Sequence, residues 1–371
     1  MAKKGKFSKQ TAAQKKKKSG KRGLLIAVII LLTILLAGMI GGIVYVEKVL
    51  GGIQSFDPDS TMSDEEASAL INDQTFADSF EGELITEPSE WDLADSEDEI
   101  IYSDDIINIL LIGQDTRDAK QKGLTDTLIL CTINTQTKRL VMTSFLRDMW
   151  VQIPGKSGGT YGERINTAYP VGGLNRLLDT LKLNFGIQVD HAVEIDFSGF
   201  QQVVDALGGV EIELTAKEAK HMNDQYGWGS RLSEGLRNLT GEEALAYARI
   251  RAIDSDIQRS NRQRTVLSKL FEKVKTMNLS EANKLVNTVV PLITTDMTNS
   301  EIINYVVELL PLLSELEVIT QRIPAGDATT DGYYYWANKG TEEEPKYVIL
   351  PVLETNRELL KQTIGSEADA E

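Results

Sequence analysis

Residues 244–264 read ALAYARIRAIDSDIQRSNRQR and gather Arg249, Arg251, Arg259, Arg262 and Arg264 in a chain whose formal net charge is −16. Across residues 240–265 there are five arginines and no lysine. A guanidinium is a planar fork that grips phosphate or carboxylate through two parallel hydrogen bonds, whereas an ammonium acts as a point charge. The choice of Arg therefore points to a phosphate ligand. Three further stretches put charge at the ends of apolar runs: IGQDTRD with Asp115 and Arg117, GLTDTLIL with Asp126, and TSFLRDMW with Arg147 and Asp148. α/β folds place their sites at such strand ends. Singly, each has a bland reading: an Asx-turn at Asp115, a strand end at Asp126, a surface pair at Arg147 and Asp148. Taken with the arginine segment, they read as one site. Asp115 and Asp126 would repel a bare phosphate, and a divalent cation between them resolves the conflict. Carboxylate oxygens suit Mg2+ (or Mn2+), which completes its shell with phosphate oxygens and water.

The elements that must position these residues are legible from periodicity. Thr240 stands at capping-box spacing from Glu243 and starts a helix. Asp256 is expected to cap the next one, where a carboxylate meets the positive end of the helix dipole. Arg259 and Gln263 are four apart and share a face of that helix. Arg249 and Arg251 converge only if the preceding helix has ended, and Arg262 and Arg264 read as solvated. Residues 106–113, 127–134 and 139–146 are short, aliphatic and bounded by polar turns, as buried strands are. Helical spacing runs over 168–185, with Gly186 as its cap. HAVEIDF is a strand, FSGFQQVVDAL a helix, and Gly208-Gly209 turns into the alternating strand VEIEL. Helices follow over 257–277, 280–293 and 299–313, strands at EVITQRIP and GYYYW, and a last helix over 352–364. The fold class is α/β, a mixed central β-sheet covered by helices. No repeat and no Gly-rich phosphate loop interrupts it.

Ahead of this domain, residues 1–22 carry ten Lys or Arg and no acid, and residues 23–46 are an uncharged run of 24. About 20 apolar residues cross a bilayer, while the apolar region of a cleaved signal is only about 7–15 long. We therefore expect a basic cytoplasmic tail over 1–22 and one uncleaved transmembrane helix over 23–46. The positive-inside rule then sets everything beyond on the outer side. Residues 51–105 contain 18 acids and no Lys or Arg, so 47–105 reads as an acidic extracellular stalk and 106–371 as the extracellular domain. The tail reads as a topology signal, not a nucleic-acid site. Cys131 is the only cysteine, and His191 and His221 are the only histidines. That composition leaves no intrachain disulfide and no multi-histidine zinc site, and a Ser-His-Asp triad is hard to build from it. An exported domain without disulfides fits the outside of a bacterium better than a secreted eukaryotic scaffold.

With these motifs in place, residues 106–271 resemble the LytR-CpsA-Psr family of bacterial cell-envelope phosphotransferases. The marks are NILLIGQDTR, the TDT of residues 125–127, SFLRD, RINTAY with its following GG, GGVEIEL, and YARIR followed by DSDIQRSNRQR. The resemblance implies an enzyme that takes a glycopolymer from a polyprenyl-pyrophosphate carrier and joins it to peptidoglycan through a phosphodiester, releasing polyprenyl phosphate. The polymer would be a teichoic acid or a capsular or other wall polysaccharide. Asp115 and Asp126 would hold Mg2+, and Arg147, Arg249, Arg251, Arg259 and Gln263 the pyrophosphate, with Arg117 and Asp256 in support. The polyprenyl tail would lie in an apolar tunnel between helices and sheet. Two other readings keep the same residues. A non-catalytic pyrophosphate-lipid-binding regulator would need the arginines but neither aspartate, and a pyrophosphatase would let water replace the sugar hydroxyl. A membrane-anchored transcription regulator, its basic tail on DNA, is the fourth.

Overall fold

The computed structural model describes residues 50–56, 101, 103–114, 124–155, 158–274, 277, 279–309, 312, 315–326, 332–340 and 345–365. The expected membrane span, most of the expected stalk, and Asp115 and Arg117 lie outside them. In chain order the strands are β1 (Gln54–Ser55), β2 (Ile106–Gln114), β3 (Thr125–Asn134), β4 (Arg139–Phe145), β5 (Trp150–Pro154), β6 (Thr160–Arg164) and β7 (His191–Asp196). They continue as β8 (Val210–Leu214), β9 (Gly235–Leu239), β10 (Ile293–Thr295), β11 (Glu317–Ile323), β12 (Tyr334–Asn338) and β13 (Tyr347–Pro351). The helices are α1 (Ala168–Phe185), α2 (Phe197–Ala206), α3 (Ala216–Tyr226), α4 (Gly241–Ala248), α5 (Asp256–Val274), α6 (Leu279–Val289), α7 (Asn299–Leu309) and α8 (Leu353–Ile364).

Among the described residues, seven strands form one sheet in the order β1-β10-β7-β2-β3-β4-β11. It is mixed: β2 runs parallel to β7 and antiparallel to β3, and β11 runs parallel to β4. The central strands are buried on both sides, so they read as continuous aliphatic runs instead of alternating ones. Side chains nevertheless alternate between faces. Ile107, Ile109 and Leu111 of β2 join a core with α2, α4 and α5, whereas Ile106, Leu110 and Ile112 join a second core with α1 and α8. Three two-stranded pairs, β5-β6, β8-β9 and β12-β13, stand outside the sheet.

The mixed sheet covered by helices agrees with the fold class read from sequence. Gly186 ends α1 in the left-handed conformation at φ 66°, as a C-terminal cap should. Three features depart from the sequence reading. The apolar pattern over 280–293 is α6, a short 3-10 turn and the start of the short strand β10, because Pro291 cannot continue a helix and the chain then pairs with β7. The small pairs β5-β6 and β8-β9 are only partly covered, so β5, β6 and β9 carry little hydrophobic signal. Finally, Leu50 is 2% exposed within the first core, Gln54–Ser55 pairs with β10, and Ile101 is buried against Ile187. The boundary drawn at 105/106 therefore moves: residues 50–56 and 101 belong to the domain, with Leu50, Ile53 and Phe56 supplying apolar contacts three residues apart.

Candidate functional site

Four arginines reach one cavity from three places in the fold. β4 ends at Phe145, Leu146 is fastened by its N–H to the Ile323 carbonyl at 2.9 Å, and Arg147-Asp148 follow in the turn to β5. α4 opens with the expected capping box between Thr240 and Glu243, and it ends at Ala248. Arg249 and Arg251 then stand on non-helical chain, the condition for two residues two apart to converge. Arg249 lies over the Phe197 ring at 4.6 Å, fixing its direction by a cation–π contact. α5 carries Arg259 and Gln263 on one face, and both line the cavity together with Asp126 of β3.

The Asp256 expectation needs correction. Ser255 caps α5: its Oγ accepts from the Gln258 N–H at 3.3 Å, and its carbonyl accepts from the Arg259 N–H at 3.0 Å. Asp256 is the first helical residue, and its carboxylate faces guanidiniums instead of the helix end. It lies 3.2 Å from Arg251 Nε, 3.4 Å from Arg259 Nε and 3.8 Å from an Arg147 terminal nitrogen. Nor are Arg262 and Arg264 solvated. Arg262 is buried between Glu218, at 2.7 Å, and Asp254, and Arg264 donates to Ser260 and Asn261. Both brace α5 and its approach, and neither lines the cavity.

The electrostatics follow from burial and neighbours. Burial would raise the Asp126 carboxyl, but Arg147, to which it is hydrogen-bonded, and Arg259 outweigh it and hold the group below its ordinary value. Asp256 is likewise held low against burial, by Arg259, Arg147 and Arg251. Asp148 goes the other way. Complete burial and the adjacent Asp256 carboxylate raise it, despite Arg147 Nε at 3.3 Å and Arg164 Nε at 3.8 Å. Asp148 and Asp256 face the same Arg147 guanidinium, and of the two carboxyls Asp148, the more deeply buried, is the one that more readily holds a proton.

The cavity has a volume of about 630 Å³ and two chemically distinct parts. One is cationic, formed by Arg147, Arg249, Arg251, Arg259, Gln263 and the Asp126 carboxylate. The other is apolar, with Leu111, Ile129, Val193 and Ile195 from the sheet, and Phe197, Phe200, Leu245, Val266 and Leu267 from α2, α4 and α5. An anion bearing a long apolar tail matches both parts. Six residues marked in the sequence meet here; Asp256 stands directly behind them. Asp148, whose carboxyl burial raises, and Arg164 as its outer neighbour went unassigned in the sequence reading. Their signal was an Arg-Asp pair and a strand-borne Arg in RINTAY, whose burial (5%, 1% and 3% exposed for Arg147, Asp148 and Arg164) only the fold reveals. Among the described residues no group of three or more His, Cys, Asp or Glu forms a metal site. Asp126 offers one hard oxygen donor at the cavity wall, with a side chain 19% exposed.

Residues 72–346 match the model of the LytR_cpsA_psr family. The chain is 35% identical over 201 residues to a polyisoprenyl-teichoic acid–peptidoglycan teichoic acid transferase TagU of Halalkalibacterium halodurans, covering 53% of this chain and 63% of that protein. It is 30% identical over 236 residues to the TagU of Bacillus cereus, covering 62% of this chain and 73% of that protein. A solved structure of TagT bound to LIIa-WTA superimposes with a TM-score of 0.56 at 26% identity, over 77% of this chain and 98% of that one.

Proposed function

The chain belongs to the LytR_cpsA_psr family, and from that premise we propose that it transfers a glycopolymer of the teichoic-acid class from a polyisoprenyl-diphosphate carrier to peptidoglycan. The observation that carries the reading is the union, in one cavity, of four arginines and an apolar chamber. A lipid diphosphate is the ligand class with both a doubly charged head and a long hydrocarbon tail. The names of the TagU relatives pair polyisoprenyl-teichoic acid with peptidoglycan, and TagT is solved bound to LIIa-WTA, which supports the same class of donor. Capsular polysaccharide is the alternative polymer.

In this mechanism the acceptor hydroxyl attacks the glycan-side phosphorus, and the bond from that phosphorus to the bridging oxygen breaks. The glycan becomes linked to peptidoglycan by a phosphodiester, and polyisoprenyl phosphate leaves with the bridging oxygen. Such transfers are accelerated by positioning and by neutralising charge on the bridging and non-bridging oxygens. Arg249 and Arg251 sit on non-helical chain and turn their forks into the cavity mouth. Arg147 and Arg259 are held from behind by Asp256, so little reorganisation remains when the diphosphate arrives. Gln263 adds an amide donor. An aspartate at the mouth would accept the hydroxyl proton. Asp126, with Asp115, would hold Mg2+ (or Mn2+); the cation would share the Asp126 carboxylate with Arg147 and supply further charge neutralisation. That donor set suits a cation that draws the rest of its shell from phosphate and water.

We assign residues 23–46 as a membrane anchor that places the domain on the outer surface, where lipid-linked donors reside. No helix among the described residues is long and apolar enough to cross a membrane, and the apolar run lies outside them. The test is direct: full-length chain in detergent or vesicles, a polyisoprenyl-diphosphate oligosaccharide, Mg2+ and peptidoglycan strands. Linked glycan supports the proposal. Free phosphorylated glycan identifies a diphosphatase, and lipid binding with no product identifies a binding regulator.

A further inference from the structure

The way the chain enters the sheet bears on how the domain meets its membrane. β1 runs parallel to β10, with Gln54 opposite Thr294. β10 runs antiparallel to β7, with Ile293 opposite Ile195, and β7 runs parallel to β2, with Asp196 opposite Gln114. Followed across these pairings, the start of β1 lies at the same end of the sheet as the C-terminal ends of β7 and β2. That is the end where Gly113, Asp196 and Phe197 border the cavity. The entry is fixed in place: Leu50 is 2% exposed in the core, and the Gln54 amide donates to the Pro291 carbonyl at 3.3 Å. The uncharged run ends at Val46, four residues before Leu50. Four residues span at most about 14 Å.

We propose that the domain docks on the lipid surface through this end of its sheet, so that the arginine cluster opens at the level of the lipid phosphates. The 59 residues of 47–105 are then not a tether. Freely jointed, they would hold the domain about 40 Å away on average. Instead, the acidic residues of 57–100 stand in sequence between two parts of the domain, β1 and Ile101. They follow β1, which points away from the site end, and rejoin at Ile101, whose N–H donates to the Gly186 carbonyl at 2.8 Å. Ile101 bridges Ile187, four residues ahead of β7, at the opposite end of the sheet. The chain thus leaves β1 heading away from the site end and returns at the opposite end, with 16 acids in the sequence between those two points. A lipid diphosphate has only to slide its tail from bilayer to cavity, and its head never crosses bulk water. The inference rests on the anchor and the diphosphate-lipid reading of the preceding subsection.

Depth-dependent quenching tests it on the full-length chain in vesicles of phosphatidylglycerol and phosphatidylcholine. A fluorophore is placed at Ser198→Cys, in the first turn of α2 at the site end, or at Gln136→Cys, in the turn after β3 at the far end. Cys131 stays unlabelled, since burial pushes its thiol up to about 12. Nitroxide-headgroup lipid should quench the label at 198 at least threefold more than the label at 136. A 20-residue Gly-Ser spacer inserted after Lys48 should erase that difference and cut transfer from a vesicle-embedded donor at least tenfold. The same spacer at residue 80 should change neither. Equal quenching at the two ends, or indifference to the spacer after Lys48, overturns the docking. Binding of soluble geranyl diphosphate is the separate check on the site: its absence from the parent chain refutes the diphosphate-lipid reading, while the quenching ratio still reads the orientation.

Discussion

Arg147 touches three carboxylates, and their protonation decides what it offers a ligand. Asp126 and Asp256 are held below their ordinary value of 3.8 by the surrounding guanidiniums, whereas Asp148 is raised by burial and by Asp256. For the two depressed groups, the contribution to stability is complete above 3.8 and is lost as pH falls through their folded values. For Asp148 the sign reverses: stability is greatest while it keeps its proton and declines as pH rises from 3.8 through its folded value. Asp148→Asn should therefore match or exceed the parent in Tm at pH 8, since an amide keeps the acceptor for Arg147 Nε and removes the repulsion from Asp256. Asp148→Ala leaves Arg147 Nε unpaired and should cost about 1–3 kcal/mol. Thermal denaturation of both variants between pH 5 and 8 checks this, and an Asn variant as unstable as the Ala one would show that the ionised form is required. Arg251 supplies a fork, not merely a charge. Arg251→Lys should weaken geranylgeranyl-diphosphate binding roughly tenfold, read by calorimetry, with Tm within a few degrees, because its side chain is 36% exposed.

Among the elements, α4 sets the placement of Arg249 and Arg251, and its first residue fixes it against α2. A Cβ on Gly241 would stand 2.2 Å from the Gln201 carbonyl oxygen, and the Gly241 N–H donates to Asp205 at 2.7 Å. The obstacle is backbone, so the helices must separate. Gly241→Ala should destabilise by about 2–3 kcal/mol and, by moving Arg249 off Phe197, reduce diphosphate binding more than its stability loss alone explains. Chemical denaturation and a binding titration on the folded fraction measure the two effects. α4 was legible in the sequence because Thr240 and Glu243 announce its start. Its contact with α2 was not, since nothing local says which backbone a glycine will meet. Likewise Asp256 and Ser255 are both good capping residues, and only the tertiary arrangement of arginines drew Asp256 inward and left the cap to Ser255.

At the scale of the molecule, the cavity is walled by the sheet on one side and by α2, α4 and α5 on the other. Leu245 sits at its wall, on the helix that leads to the arginines. Leu245→Trp should fill the apolar part. Binding of geranylgeranyl diphosphate should fall more than tenfold while inorganic diphosphate binds as before; equal losses for both ligands would place the tail elsewhere. The charge distribution has the same global character. In a chain of net charge −16, four arginines line this one cavity, and three of them lie within 4 Å of the Asp256 carboxylate.

The sequence by itself determined the strands with continuous aliphatic runs, the mixed α/β class, the capped helix before the arginines, and the set of residues able to grip phosphate. These follow from local periodicity, capping chemistry and the difference between a guanidinium and an ammonium, all short-range. Only the tertiary structure decided that Leu50 and Gln54–Ser55 close the sheet edge, that Asp148 and Asp256 meet at Arg147, and that apolar residues of three helices line a cavity beside the cationic cluster. Each of these depends on which distant segments come into contact, and burial or proximity across the chain leaves no mark in the local order of residues.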